Sequence, residues 1–136
     1  MSNTRFATAI HIMTLLAKYS DEWLTSEWIA GSLNSNPAMI RKEIGVLKSA
    51  GLIASRKGKE GGSMLAKKAE EISMGDIFAA VKNTEVLGRK NSNPNPKCPV
   101  GRDINVQLEQ LFTETDSMVN SFLNKKLLHD FAETFR

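Results

Sequence analysis

Between Arg41 and Lys68 the chain concentrates its cations: Arg41, Lys42, Lys48, Arg56, Lys57, Lys59, Lys67 and Lys68 stand against only Glu43 and Glu60. This stretch carries a surplus of six positive charges in a chain whose net charge is +3, so the remainder is net negative by three. A local positive field on a nearly balanced protein suits a polyanion bound on one face; the plainer alternative is a solvated basic surface. The residue types point to double-stranded DNA. Arg41 can hold guanine O6 and N7 bidentately, and Asn36 can pair with adenine. Asn36, Pro37, Ala38, Met39, Arg41 and Lys42 are therefore candidates for the base edges. Arg56, Lys57 and Lys59, around Gly58, Gly61 and Gly62, are candidates for the sugar–phosphate wall, where lysine and arginine displace counterions.

Other chemistries find less material. The run Gly58-Lys59-Glu60-Gly61-Gly62-Ser63 has its lysine before the glycine pair and precedes a strand, so it is a hairpin tip rather than a phosphate loop. His11 and His129 have no neighbours at metal or catalytic spacing. Glu70 and Glu71 lack a companion nucleophile, and Glu114 and Asp116 solvate a helix. No catalytic residue, metal ligand or cofactor is expected, and the chain is not expected to be an enzyme. Cys98 is the single cysteine, which excludes an internal disulfide and suits a reducing cytoplasm. It has two readings. With Lys97 adjacent it could be a redox sensor, through an intersubunit disulfide or a small-thiol cap; alternatively it only packs.

These residues need elements to position them. The spacing predicts a first helix from Thr4 to about Tyr19, with Phe6, Ala9, Ile10, Met13, Leu16 and Ala17 on one face. Trp23 and Leu24 then tuck back on the core. A second helix, capped by Thr25 or Ser26, carries Trp28, Ile29 and Leu33 inward and ends near Asn34. Asn36-Pro37 opens a third helix with Ile40, Ile44 and Leu47 buried, ending at Ala50-Gly51. Leu52–Ser55 is a strand, residues 56–62 the basic tip, and Ser63–Leu65 the return. Ser73 and Asp76 cap a fourth helix with Ile77, Phe78 and Val81. Leu87–Gly101 is a polar loop with Pro94, Pro96, Pro99 and Cys98. A long helix starts near Arg102, and Leu127, Leu128 and Phe131 form a short terminal one. The stripe of the long helix includes Leu108, Leu111, Phe112, Met118, Val119 and Phe122. That stripe is too long for so small a body to bury, and a second subunit is the simplest cover.

The order helix, turn, helix, basic hairpin is that of a winged helix-turn-helix. The fold class expected is mainly α with a small β-hairpin wing, plus a long C-terminal dimerisation helix. Residues 1–82 form the DNA-binding domain, 83–101 a loop, and 102–136 the dimerisation helix with its terminal helix. No apolar run approaches the roughly 18 residues that a membrane span needs. Met1-Ser2-Asn3-Thr4-Arg5 does not begin a signal peptide, so a cytoplasmic location is expected.

Three linked pieces carry a resemblance: Leu47-Lys48-Ser49-Ala50-Gly51-Leu52-Ile53-Ala54-Ser55, then Gly58-Lys59-Glu60-Gly61-Gly62-Ser63-Met64-Leu65-Ala66, then Ile72-Ser73-Met74-Gly75-Asp76-Ile77. In this order the chain resembles the Rrf-two (Rrf2) family, small bacterial repressors that include the iron–sulfur cluster assembly regulator, the nitric-oxide-sensing repressor and the cysteine-metabolism repressor. The resemblance implies a homodimer joined through the long helix on a two-fold-related operator. Cluster-binding members carry three cysteines before that helix where this chain keeps Cys98, so no cluster is expected. The aromatic that usually follows the Gly-Gly is Ser63 here, which should weaken wing packing. Arg41 stands where the cluster-assembly regulator has a glutamate, which implies a different operator. The expectation is a sequence-specific DNA-binding transcription regulator, a homodimeric repressor. The alternative is an interaction module controlled by a partner protein, which docks on the Leu87–Gly101 loop.

Overall fold

A computed structural model describes residues 4–82 and 86–136. The expected start of the loop at residue 83 lies outside the described residues, as do Met1, Ser2 and Asn3.

The first helix, α1 (Arg5–Lys18), is the centre of the body: α2 (Ser26–Leu33), α3 (Pro37–Ser49), α4 (Met74–Val81), α6 (Leu128–Ala132) and the wing all pack on it. It therefore buries a wider arc than a one-sided helix would. Ala9, Met13 and Leu16 are buried as their spacing predicts, but so is Ile12; Phe6, Ile10 and Ala17 line the edge of the core.

The two helices of the turn end in the same way. After α2 the N–H of Ser35 bonds to the carbonyl of Ala30 at 2.9 Å, and Asn34 takes the left-handed conformation at φ 54°. After α3 the N–H of Leu52 bonds to the carbonyl of Leu47 at 3.1 Å, with Gly51 at φ 80°. Both are Schellman closures, which satisfy the last helical carbonyls and reverse the chain sharply. Of the α2 residues expected inside, Ile29 is fully buried and Leu33 partly so, but Trp28 is 46% exposed. The buried stripe of this short helix is Ile29, Ala30 and Leu33, and it leaves Trp28 on the flank, edge-on to Tyr19 at 5.2 Å.

The wing is a hairpin of β1 (Ile53–Arg56) and β2 (Gly62–Leu65), with Ile53 opposite Leu65 and Arg56 opposite Gly62. Leu24 joins it as a third edge through paired backbone bonds with Ser63 of 2.8 and 3.0 Å. Ser63 is buried and its Oγ meets Ser55 Oγ at 3.2 Å. A hydroxyl pair thus fills the position after the Gly-Gly, where the resemblance led to an expectation of weaker wing packing. A single 3-10 turn (Ala69–Glu71) leads to α4, whose capping box has Ser73 Oγ and Asp76 Oδ2 each accepting from the other's N–H at 3.0 Å.

The long helix α5 (Pro99–Asn124) begins three residues before the expected Arg102. Pro99 takes the first helical position, where its missing N–H costs nothing, as Pro37 does in α3. None of the 26 residues of α5 is buried. Its C-terminal end is tied to the body: Met74 N–H bonds to Lys126 O at 2.7 Å and Leu128 N–H to Ile72 O at 2.8 Å, and Leu128 of α6 is fully buried on the core. The segment before α5 runs back along it. Val86 N–H bonds to Asp116 Oδ1 at 2.9 Å, Asn105 Nδ2 bonds to Asn91 O at 2.8 Å, and Lys90 pairs with Glu109. No helix among the described residues is long and apolar enough to cross a membrane.

Candidate nucleic-acid interface

The orientation of α3 follows from its own sequence. Ile40, Ile44 and Leu47 at spacing four and three are buried, which turns Ala38, Met39, Arg41, Lys42, Gly45 and Lys48 outward. Glu43 is the exception, an acid on the inner face. It accepts from Arg5 Nε at 3.2 and 3.3 Å, so α3 is pinned to α1 by charge as well as by apolar packing.

Arg41, Gly45 and Lys48 form one ridge of this outward face. They line an open cleft of about 480 Å³ together with Thr25, Ser26 and Glu27 at the start of α2, and with Arg56, Lys57, Gly58 and the Gly61-Gly62-Ser63 turn of the wing. Gly45 meets nothing within 4 Å in the Cβ direction, so the floor is open to a large ligand. Gly62 has a different reason to lack a side chain: at φ 151°, a Cβ would sit 2.6 Å from Leu24 O, and the edge pairing between Leu24 and Ser63 would be forced apart.

Each expected DNA-facing residue has a definite place. Ala38, Met39 and Lys42 are exposed on the first turns of α3. Pro37 is half-buried at the first helical position. Asn36 acts as the cap: its Oδ1 accepts from Ala38 N–H at 2.7 Å, which ties up the acceptor that a bidentate adenine contact would use. Arg41 is exposed but paired with Glu27 across the turn at 3.2 Å. Both partners are more than half exposed, and such pairs are worth only about 0–1 kcal/mol, so the guanidinium can leave for a base edge at little cost. Lys57 and Lys59 are exposed at the wing tip. Arg56 is the most constrained: its Nε and Nη2 donate to Glu60 O at 2.9 and 2.7 Å, while its guanidinium lies 4.6 Å from the Trp23 ring centroid. It braces the hairpin from within.

Sequence reasoning missed Lys48 as a cleft residue, although its position seven after Arg41 places it on the same helical face. It also missed the start of α2. No spacing signal could have joined Glu27 to Arg41, because their meeting depends on how α2 crosses α3. Cys98 is exposed and stands just before α5; Asn95 caps the preceding turn through Lys97 N–H at 2.9 Å.

Two helices joined by a sharp turn, the second presenting a basic outer face, beside a basic three-edged hairpin, define a winged helix-turn-helix module for DNA. The sequence profile of the Rrf2 family, described as an iron-dependent transcriptional regulator, matches residues 2–134, and the chain belongs to this family. It is 41% identical over 130 residues to YwnA of Bacillus subtilis (strain 168), provisionally named an HTH-type transcriptional regulator, covering 96% of each chain. Among solved structures it resembles one provisionally described as a DNA-binding protein (TM-score 0.75, 35% identity, covering 93% of this chain and 97% of that one). Another is CymR of Staphylococcus aureus, with TM-score 0.70, 27% identity and coverage of 96% and 97%. The chain is thus a DNA-binding transcriptional regulator, not an enzyme.

The family's description includes iron. This chain has one cysteine, and among the described residues no three His, Cys, Asp or Glu side chains gather as a ligand set. The residues of a single chain do not fit an iron–sulfur cluster held by the usual cysteine set.

Proposed function

We propose that the protein acts as a homodimer on a two-fold-related operator and represses transcription from it, without an iron–sulfur cluster. The observation that carries the dimer is α5. Ile104, Leu108, Leu111, Thr115, Met118 and Phe122 recur at alternating four and three along it, the seam spacing of a coiled coil. Leu111, Met118 and Phe122 are all more than half exposed in the single chain. Phe112 and Val119 are half-buried beside the seam. An apolar row along a helix about 39 Å long is costly in water and matches an identical row on a second copy.

On DNA, Ala38, Met39 and Arg41 face base edges, with Arg41 released from Glu27 to take a guanine. Asn36 and Pro37 set the helix N-terminus against the backbone. Lys42, Lys48, Lys57 and Lys59 neutralise phosphates, and Arg56 holds the wing in shape for them. Two such modules related by the dimer axis read two half-sites, and occupancy of the operator excludes other proteins from the same DNA.

The test is selection from a random double-stranded pool with purified protein at physiological salt, followed by light scattering of the free and bound protein. Enrichment of an inverted repeat bound by two chains supports the reading. A non-repeating site bound by one chain, or retention that is only salt-sensitive and sequence-blind, would count against it.

A further inference from the structure

A second cavity, of about 510 Å³, opens between α1, α2 and the C-terminal turn and shares no residue with the DNA-facing cleft. Its size is that of a small-molecule site. Ile10 and Leu15 of α1 form one wall; Phe131 and Phe135, 5.4 Å apart at their ring centroids, form the other, and Tyr19 stands at the end. Tyr19, Phe131 and Phe135 are all exposed, and Trp28 abuts Tyr19. Four exposed aromatic side chains gathered at one place are unusual on a small domain unless something covers them.

The charged side chains that line the cavity have one sign. Lys18 and Arg136 line it, His11 contributes a ring nitrogen, and no Asp or Glu takes part. Lys18 Nζ donates to Phe135 O at 2.7 Å, which uses one of its three protons. Among the described residues neither Lys18 nor Arg136 is paired with a carboxylate. An apolar slot with two cationic side chains on its rim and no acidic side chain in its lining is complementary to a compact molecule with an apolar body and one anionic end. A second copy of an apolar surface would leave both cations unanswered.

We propose that this cavity binds a small apolar carboxylate, aromatic or branched, and that its occupancy changes the affinity for DNA. The second half rests on the reading of the chain as an operator-binding regulator. The link is the α1–α2 contact. His11 Nε2 and Ser32 Oγ meet at 2.9 Å on the cavity lining, and Ser32 belongs to α2, which packs directly on α3. A carboxylate drawn to Lys18 and Arg136 bears on that contact, so a ligand that binds better when α2 is displaced on α1 shifts α2 and α3 together.

The experiment is a ¹H–¹⁵N NMR titration of the full chain with naphthylacetate, phenylbutyrate and a branched-chain 2-oxo acid, each against its uncharged amide. Saturable shifts centred on His11, Lys18, Ser32 and Phe131 are expected for at least one carboxylate. Its amide should bind about tenfold or more weakly, and a Lys18→Met/Arg136→Gln variant should lose a similar factor. No saturable shift with any of the three, equal binding of acid and amide, or shifts centred elsewhere would overturn the site. The same ligand is then added to the operator complex: altered affinity in the wild type but not in the variant supports the coupling, and unchanged affinity refutes it. The titration needs no DNA, so failure of the operator reading and failure of the cavity are told apart.

Discussion

Glu43, on the inner face of α3, lies 3.2 Å from Arg5 at the start of α1, a pairing across 38 residues of sequence. A carboxylate facing the core is tolerated only with such a partner, and the pair adds to the apolar packing that holds α3 on α1. Glu43 is almost fully covered and Arg5 only partly, so the pair lies between a surface and a buried salt bridge.

Glu43→Gln should therefore destabilise the fold by about 1–3 kcal/mol, between the surface and buried limits. Urea unfolding measures this. An unchanged midpoint would mean that solvent already screens the pair.

Arg41→Ala should cost about 1–3 kcal/mol on the selected operator and relax one base position. Glu27→Gln should act in the opposite direction, with severalfold tighter binding, since it frees Arg41 and removes a negative charge from the cleft proposed to face phosphates. Fluorescence anisotropy on operator and scrambled DNA checks both. If Arg41→Ala weakens the two equally, the base-reading role is wrong.

The two ends of the wing should separate in their effects. Lys59→Ala should weaken all sequences alike and reduce the salt slope by about one unit. Arg56→Ala removes the clamp on Glu60 O and the stack on Trp23, so it should alter tryptophan fluorescence of the free protein and loosen the hairpin amides in hydrogen exchange. A free protein indistinguishable from the wild type would show that Arg56 is not a brace.

Met118→Glu should convert the proposed dimer into monomers at micromolar concentration, since Met118 is 74% exposed in the single chain and its replacement disturbs no core contact. Sedimentation velocity reads the outcome, and circular dichroism should show a folded monomer. A persistent dimer would place the interface elsewhere.

Lys90 donates to Glu109 and holds that carboxyl below its usual range, hydrogen bonding first and charge attraction second. A depressed folded value makes the tether present above the unfolded carboxylate pKa and lost as pH falls through the folded one. Lys90→Met should therefore raise the pH at which the Glu109 carboxyl titrates, read from its side-chain carbon shift in NMR. An unchanged titration would mean that Lys90 does not hold the carboxylate and that the Asn105–Asn91 bond is the tether.

What the sequence determined by itself is whatever depends on neighbours three or four residues away. The caps at Thr25, Asn36 and Ser73, the glycine closure at Gly51, the buried row Ile40-Ile44-Leu47 and the apolar seam of α5 are local patterns, and each stands where the spacing places it. So does the family, because its linked motifs lie in contiguous runs. Trp28 escaped that logic because a helix as short as α2 buries a narrow stripe. Pro99 reads as a loop residue in the sequence although it opens α5, because proline marks a loop and a helix start equally well. What only the tertiary structure decided are the encounters between distant segments: Arg5 with Glu43, Arg41 with Glu27, Arg56 over Trp23, and α6 returning to α1 to complete the aromatic cavity. Those contacts arise from how helices cross once apolar faces are buried, and helix crossing leaves no periodic trace in the chain.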